Sequence, residues 1–551
     1  MRRIVGSALL GVVLAAPACT RTRADLVVYG RVWTGDSARP WAEGVAVRGA
    51  EVAAVGDRGE IARMVGRDTR VIDNGQALVT PGFGDSHTHF ISGGFQLASV
   101  DLRDADTPRE FIRRIGAFAR RQPPGRWIVG GDWDHERWAG SPLPRREWID
   151  SVTPDSPVFV NRLDGHMALA NSAAMRLAGV TRATRDVSGG QIVRDPRTGE
   201  PAGVFKDNAQ GLIGHAIPDP SAEEMDTALA LAMRHAAERG VTNVHVMGSW
   251  GDFNAFRRAR ARDALTTRGY AFVPIATWRR LADTVRALGR GDEWLRWGGL
   301  KGFMDGSLGS TTAALYEPYL DAPTSRGLLV VDSAEMRQAI ISADSAGLHL
   351  AVHAIGDRAN AMLLQFYADA IQRNGARDRR FRDEHSQHLR RQDIPRFGQL
   401  GVIPSMQPYH IIDDGRWAWK RLDPARLAGT YAMLTLLETG AHLAFGSDWT
   451  VAPLDPIKGL YAAVTRRTLD DRNPNGWIPE QKIALDQALR AYTVGVARAG
   501  FQDDRVGVLR PGMLADLVLL DRDLFRIAPE TIDQAQVRAT VVGGRVVYQR
   551  P

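Results

Sequence analysis

The sequence predicts an α/β chain whose central part is a (β/α)8 TIM barrel, and three observations carry this prediction. With 551 residues, the chain is too long for one small module. Apolar, strand-like runs alternate with longer helical segments through its middle, which is the pattern of parallel βα units. Strand-like runs punctuated by glycine stand at both ends, and they predict one small β domain assembled from the two termini.

The first residues carry the features of an export signal. Two arginines precede an apolar run over residues 4–16 that is too short to span a bilayer, and residues 16–18 fit a small-x-small cleavage pattern. We therefore expect residues 1–18 to be a signal peptide and the protein to be periplasmic, bound to the cell surface or secreted. Cys19 follows at the position that bacterial lipoproteins acylate, so lipid-anchored and free forms both stay open, and membrane contact is expected only through that anchor.

The predicted domains follow from where these runs fall. Residues 25–80 and 503–551 are assigned to a composite β-sandwich, and residues 81–502 to the barrel. The long gap after the first barrel strand predicts an insertion subdomain over the barrel mouth, at about residues 96–220. Eight runs are assigned to barrel strands: Leu78–Phe90, Val241–Gly248, Tyr270–Trp278, Leu300–Ser307, Leu348–Gly356, Arg382–Gln387, Val402–His410 and His442–Trp449.

Composition excludes several classes of function. The single cysteine excludes an intramolecular disulfide framework and any multi-cysteine zinc or iron–sulfur site. There are 70 Lys+Arg against 63 Asp+Glu, but the positive charge does not gather into a basic block with aromatics, so nucleic acid is not an expected partner. Only five of the basic residues are lysines: Lys206, Lys301, Lys420, Lys458 and Lys482.

Ionisable residues close several of the predicted barrel strands. His87 and His89 are two apart on a strand, so both imidazoles point to the same face. The other members of the set are Lys301, His353, His385 and Asp448. Barrel enzymes carry their chemistry at the carboxyl ends of the strands, and histidine with carboxylate suits zinc and similar divalent ions. The sequence therefore predicts a metal site at the barrel mouth.

At these residues the chain resembles the amidohydrolase superfamily, in particular its YtcJ-like (amidohydrolase-3) branch, which includes N-substituted formamide deformylases. The resemblance covers nearly the whole chain after the signal segment and implies a metal-dependent barrel with a composite β-sandwich. Six motifs carry it: Pro81-Gly-Phe-Gly-Asp-Ser-His-Thr-His, Asp164-Gly-His-Met-Ala-Leu-Ala-Asn-Ser, Lys301-Gly-Phe-Met-Asp-Gly-Ser-Leu-Gly-Ser, Glu384-His-Ser-Gln-His, Ser405-Met-Gln-Pro-Tyr-His and Gly446-Ser-Asp-Trp.

The resemblance implies a role for each member of the ligand set. His87 and His89 would bind a more buried ion, and His353 and His385 a more exposed one. Asp448 would bind the buried ion and accept a proton from the attacking water. Lys301 matches the position that is carbamylated in binuclear members and bridges both ions, while a single ion beside an unmodified lysine stays open. Zinc is the expected metal, although iron, manganese and nickel accept the same ligands.

Four further residues are expected to contact the substrate. Asp164 and His166 lie in the insertion within a motif shared with the branch, and a loop-stabilising histidine is the alternative for His166. His410 ends the seventh predicted run and faces the same mouth. Trp133 is expected to line the pocket, with packing as the alternative.

These expectations lead to one main function and two alternatives. The main one is a metal-dependent amidohydrolase that cleaves a non-peptide C–N bond of a small-molecule amide or N-substituted formamide. The first alternative keeps the site but acts on esters, carbamates or amine-bearing substrates, and the second is a non-catalytic cell-surface binding protein. The sequence leaves the oligomeric state open, with a dimer as one candidate.

Overall fold

A computed structural model describes residues 23–550 of the chain. The predicted signal segment and Cys19 lie outside the described residues. The strands in this range are β1 (Leu26–Trp33), β2 (Trp41–Arg48), β3 (Glu51–Gly56), β4 (Arg70–Pro81), β5 (Phe83–Thr88), β6 (Ile128–Trp133), β7 (Val158–Arg162), β8 (Met167–Ala170), β9 (Gly190–Arg194), β10 (Pro201–Asp207), β11 (Val241–Met247), β12 (Arg268–Pro274), β13 (Leu295–Phe303), β14 (His349–Ala354), β15 (Arg382–His385), β16 (Ile403–Met406), β17 (Ala444–Phe445), β18 (Leu517–Leu520), β19 (Val537–Val542) and β20 (Arg545–Gln549).

The α-helices surround the barrel or lie in the segments that connect its strands. They are α1 (Arg58–Ala62), α2 (Phe90–Gln96), α3 (Pro108–Ala119), α4 (Arg146–Asp150), α5 (Ser172–Leu177), α6 (Gly211–Gly214), α7 (Ala222–Ala237), α8 (Trp250–Ala261), α9 (Trp278–Leu288), α10 (Ser333–Ser345), α11 (Asp357–Asn374), α12 (Ile394–Leu400), α13 (Pro408–Asp414), α14 (Pro424–Leu427), α15 (Met433–Glu438), α16 (Pro456–Thr465), α17 (Leu485–Arg490) and α18 (Val496–Ala499).

Eight parallel strands form the predicted barrel, in the order β5, β11, β12, β13, β14, β15, β16 and β17. A parallel bridge between Thr88 and Trp449 joins its first and last strands, so the sheet is nearly closed. Each of the eight runs assigned from the sequence overlaps one of these strands, which confirms the fold class. Strands such as β11 and β14 are buried along their whole length, as expected when a parallel sheet is covered by helices.

Local sequence signals fix where the helices around the barrel begin. Ser221 and Glu224 form a reciprocal capping box at the start of α7, and Ser249 and Asp252 do the same for α8. Asp332 accepts backbone hydrogen bonds at the start of α10. These caps satisfy the free N–H groups of each first turn and hold the helices at fixed points after their strands.

Between β5 and β11 the chain forms a separate five-stranded sheet, in the order β6, β7, β8, β10 and β9. Its own hydrophobic cluster includes Phe111, Trp133, Trp138, Ile149 and Leu169. This sheet lies within the segment that the sequence assigns to an insertion. It contributes residues to the wall of the cavity described below.

Strands from both termini join in one seven-stranded sheet, in the order β20, β19, β18, β4, β1, β2 and β3. A buried ion pair ties this sheet to the amino end of the barrel: Arg268, the first residue of β12, donates to both carboxylate oxygens of Asp516 at 2.7 and 2.9 Å. Gly543 donates a third hydrogen bond to the same carboxylate at 2.8 Å. Among residues 23–550, no helix is long and apolar enough to span a membrane.

Candidate metal centre

The structure brings the predicted ligand set together at the carboxyl ends of the barrel strands. His87 lies near the end of β5, Lys301 and His353 lie in β13 and β14, and His385 ends β15. Asp448 follows β17. These five residues are at most 5% exposed, whereas His89, which follows β5, keeps 32% of its side chain exposed.

Three of these residues form a tight group that could hold a metal ion. One ligand atom from each of His87, His385 and Asp448 lies within 4.8 Å of the other two. Asp448 Oδ1 is also 3.4 Å from His87 Nε2 and 3.3 Å from His89 Nε2. This oxygen is buried and accepts no hydrogen bond from the part of the chain that the structure describes. A buried, unsatisfied carboxylate among imidazoles fits a cation, which would compensate its charge.

A hydrogen bond to a neighbouring oxygen atom fixes the orientation of three of the imidazole rings. His87 Nδ1 lies 2.5 Å from Glu384 Oε2, and His385 Nδ1 lies 2.8 Å from Gln407 Oε1. His353 uses its other nitrogen, with Nε2 at 3.1 Å from the carbonyl oxygen of Gly306. Because these oxygens are acceptors, each ring donates its N–H to them and presents its second nitrogen as a lone pair, the form in which histidine binds metals.

Burial keeps these imidazoles in the metal-binding form. It lowers the pKa of His87, His353 and His385 well below the ordinary value, so the three rings are neutral at neutral pH. Metal binding requires neutral imidazole. The rings also pack closely, with 4.5 Å between the centroids of His353 and His385 and 4.9 Å between those of His87 and His385.

A buried arginine holds the carboxylate that orients His87. Arg382 Nε and Nη2 donate to Glu384 Oε1 and Oε2 at 2.7 and 3.0 Å. The same guanidinium contacts His245 Nδ1 at 2.8 Å and Ser405 Oγ at 3.1 Å, and all of these groups are buried. These hydrogen bonds hold the glutamate in a fixed position beneath the candidate metal site.

Lys301 lies beside the tight group. Its Nζ is 3.1 Å from His87 Nε2 and 4.6 Å from the ring centroid of Phe303. Burial lowers its pKa to about 8. The sequence predicts this lysine as a metal ligand, and the structure places its amine beside His87 on the wall of the cavity described next.

A cavity of about 190 Å³ opens directly above the group. His166 and His410, both expected from the sequence as substrate contacts, line it. His410 Nε2 is buried and has no hydrogen-bond partner among the described residues, and its ring is nearly parallel to that of His385 at 6.4 Å. The ring centroid of His166 lies 5.1 Å from that of His353.

Asp164 lines the same cavity, but its carboxylate is already engaged. Oδ2 receives Arg162 Nη1 at 2.7 Å and Ser310 Oγ at 3.1 Å, as well as the hydroxyl of Ser307. Oδ1 accepts the backbone N–H of His166 at 3.2 Å. Asp164 therefore joins the insertion to the loop after β13 and holds the backbone of His166 in place.

The structure corrects the expectation that Trp133 lines the pocket. Its side chain lies in the core of the insertion, where it stacks on Trp138 at 6.2 Å, and its indole N–H donates to the carbonyl of Val160 at 2.8 Å. It does not border the cavity. Both its apolar surface and its N–H are satisfied within the insertion, so the residue packs the subdomain.

Sequence reasoning missed the residues that support the ligands. Glu384 directly precedes His385 in one of the six motifs, and its place in a predicted barrel strand is a sequence signal that could identify it. Gln407 likewise follows β16 directly. Asp207 ends β10 in the insertion and lies 2.7 Å from His166 Nδ1, but no spacing rule links residues so far apart in the chain.

A wider outer cavity adjoins the first one. It has a volume of about 830 Å³ and shares Gly309 and Trp417 with the inner cavity. Most of its charged side chains are paired: Lys420 and Arg421 reach Glu136 at 2.7 and 2.9 Å. The inner cavity is therefore small, and a larger, polar cavity borders it.

Comparisons with known proteins agree with this architecture. The chain is 40% identical to Protein LONG AFTER FAR-RED 3 of Arabidopsis thaliana over 95% of this chain and 91% of the relative. It is 30% identical to putative amidohydrolase YtcJ of Bacillus subtilis, over 88% of this chain and 91% of the relative. For N-substituted formamide deformylase of Arthrobacter pascens the identity is 27%, over 96% of this chain and 99% of the relative.

A solved structure shows the same fold. An uncharacterized metal-dependent hydrolase from Pyrococcus horikoshii OT3 superposes with a TM-score of 0.74 at 28% identity, over 92% of this chain and 99% of that one. The family profile described as "Amidohydrolase family" matches residues 70–548, which include every candidate ligand. The chain therefore belongs to the amidohydrolase family and is a metal-dependent hydrolase of that superfamily.

Proposed function

We propose that this protein hydrolyses a C–N bond other than a peptide bond, in a small amide or an N-substituted formamide. The observation that carries the proposal is the buried, unsatisfied Asp448 oxygen among imidazoles held in their metal-binding form. The similarity to a formamide deformylase over nearly the whole chain supports the choice of bond.

The residues present fit one or two divalent ions. His87, His89 and Asp448 would hold the more buried ion, and His353 and His385 the more exposed one, with zinc as the proposed metal. We also propose that Lys301 is carbamylated by carbon dioxide, since an anionic two-oxygen group at this position would suit a place between dications better than an ammonium does. A divalent ion would supply Lewis acidity and lower the pKa of water to about 7.

Side chains of the protein carry out the proton transfers. Asp448, which lines the cavity, accepts a proton from the attacking water through its carboxylate. It passes that proton to the leaving nitrogen, which departs as an amine. His410 and His166 both line the cavity and contact the substrate.

The size of the two cavities favours a small acyl group. Pockets that enclose drug-sized ligands have volumes of about 300–1,000 Å³. The inner cavity, at about 190 Å³, is smaller, whereas the outer one, at about 830 Å³, falls in that range. A formyl or similarly small acyl group at the metal site, with its amine substituent in the outer cavity, fits this arrangement.

A panel of substrates tests the proposal. The chain beginning at Cys19, with its metal content measured, is assayed on N-formyl amines, N-acyl amino acids, cyclic ureas, aryl esters and aminated heterocycles. Release of amine from the first two classes supports the proposed bond. Activity on esters alone, or deamination alone, contradicts it in favour of the other chemistries, and a metal-free chain that zinc and manganese leave unchanged favours a binding protein.

We further propose that the protein is exported and that Cys19 is a candidate site of lipid attachment. Mass spectrometry of the purified native chain tests both points. A first residue at or just before Cys19 supports export, and an added lipid mass that is lost in Cys19→Ser supports anchoring. An intact first segment would contradict export.

A further inference from the structure

We propose that Asp207 is the positioning residue for His166, and that this pair from the insertion aims the second nitrogen of the imidazole at the reacting group of the substrate. The proposal rests on the proposed function, since it assigns how one substrate contact of that site is held.

The first observation is the contact itself. His166 Nδ1 lies 2.7 Å from Asp207 Oδ1, and the side chains are 14% and 1% exposed. The backbone joins them as well, because the N–H of Asp207 donates to the carbonyl of His166 at 2.9 Å. Since the carboxylate accepts the Nδ1 hydrogen, Nε2 is the nitrogen that remains for the cavity, and no described residue hydrogen-bonds to it.

The second observation is the backbone of Asp207. It has φ 46° and ψ −125°, the conformation of the first central residue of a type II′ turn, which glycine dominates. Such strain in a non-glycine residue persists only where the surroundings enforce it, and it gathers at functional sites. Asp207 Oδ2 is also buried without a partner, so His166 is the one side chain that its carboxylate engages among the described residues.

The third observation connects the pair to the metal site. A Cβ on Gly306 would come within 2.0 Å of Thr312 Oγ1 and within 2.8 Å of Asp207 Oδ1, so the close approach of these two side chains requires glycine at this position. The carbonyl of the same glycine accepts the Nε2 hydrogen of His353. One short segment after β13 therefore makes room for Asp207 and orients a candidate metal ligand, which sets His166 and His353 relative to each other.

These observations explain why an aspartate occupies a position that favours glycine. Glycine would relieve the backbone strain at Asp207 and would lose one side-chain contact. The chain keeps the less favourable residue, and the contact that it gains in return holds His166 against the cavity. The insertion thereby supplies a part of the site that the barrel alone does not contain.

Asp207→Gly separates a positioning role from a structural one. We expect kcat to fall about 10–100-fold, the range for losing a residue that orients an active-site imidazole, with KM little changed and the midpoint of thermal unfolding unchanged or higher. Asp207→Asn keeps an oxygen that accepts the Nδ1 hydrogen, so it should retain most of the activity. A glycine variant with wild-type kcat, or one that loses activity together with thermal stability, would overturn the proposal.

Asp263→Gly is the matched control. Asp263 also has a positive φ of 49°, but it lies after α8 with its side chain 71% exposed, so its substitution should leave kcat unchanged. A double variant tests whether Asp207 acts through His166. Asp207→Gly combined with His166→Gln should cost no more than His166→Gln alone, whereas additive losses would contradict the proposal.

A measurement independent of turnover separates this inference from the proposed function. Nitrogen NMR of the ¹⁵N-histidine-labelled, zinc-loaded protein identifies the His166 ring as the signal that is missing in His166→Gln. We expect this ring to carry its hydrogen on Nδ1 in the wild type and to change tautomer or exchange in Asp207→Gly. An unchanged ring signal in Asp207→Gly would overturn the pairing of Asp207 with His166, even if hydrolysis is confirmed. A changed ring signal would support the pairing even in a protein without hydrolytic activity, which would contradict the proposed function alone.

Discussion

Two buried aspartates, one structural and one functional, differ in how their negative charge is compensated. Asp516, where the terminal sheet meets the amino end of the barrel, accepts two hydrogen bonds from Arg268 and one from Gly543. Asp448, at the carboxyl end, has imidazoles around it and one oxygen without a hydrogen bond among the described residues. A buried charge without compensation is costly, so the second site persists where a cation would complete it.

The largest expected effect comes from neutralising the functional aspartate. Asp448→Asn removes both a candidate metal ligand and the proposed proton carrier, so we expect kcat to fall about 10³–10⁴-fold, measured on the best substrate of the panel. Unfolding in urea should show no loss of stability for the metal-free variant, because the substitution removes an uncompensated charge. A variant that keeps more than a tenth of wild-type kcat would contradict the functional role of Asp448.

The structural aspartate should respond in the opposite way. Arg268→Met leaves Asp516 buried without its cation, and breaking such a pair costs about 3–5 kcal/mol of unfolding free energy. The urea midpoint measures this loss, while the folded fraction should retain wild-type kcat and metal content. Asp283→Asn is the control, since its ion pair with Arg286 is largely exposed and its loss should leave the midpoint unchanged.

We expect a smaller effect from a substitution of Glu384, which lies between a buried arginine and a candidate metal ligand. Glu384 is held by Arg382 and orients His87, so Glu384→Gln should weaken metal affinity about 10–100-fold without abolishing binding. Competition with a chromophoric chelator measures the affinity, and Glu110→Gln on the surface of α3 provides the control. Unchanged affinity would mean that the orientation of His87 does not depend on this carboxylate.

The sequence predicts most of the architecture and a candidate ligand set that the structure brings together at the barrel mouth. Buried parallel strands are continuous apolar runs, so even β17, which has only two residues, was placed by the apolar segment that precedes Asp448. The ligands were recognisable because strand ends meet at one edge of a barrel, which makes His87 and His385 neighbours although they are far apart in the chain.

The rest depends on contacts that no spacing rule contains. Trp133 was assigned to the pocket because an aromatic residue in an insertion has the same appearance in the sequence whether it lines a cavity or fills a core. Asp207 gives no signal because its partner His166 lies in the turn between β7 and β8, far away in the sequence, and its positive φ becomes visible only in the structure. The residues that orient a candidate ligand depend on tertiary contacts, whereas the candidate ligands themselves can be predicted from the ends of the strands.

The central claim is that Asp448 and its surrounding imidazoles hold a divalent ion, and elemental analysis of the purified native chain tests it most directly. We expect at least one equivalent of a divalent transition metal per chain, removable by chelation and restored by zinc. His87→Ala and Asp448→Asn should reduce this content, and Asp263→Gly should not. A native chain that contains no such metal and takes up neither zinc nor manganese would contradict the account.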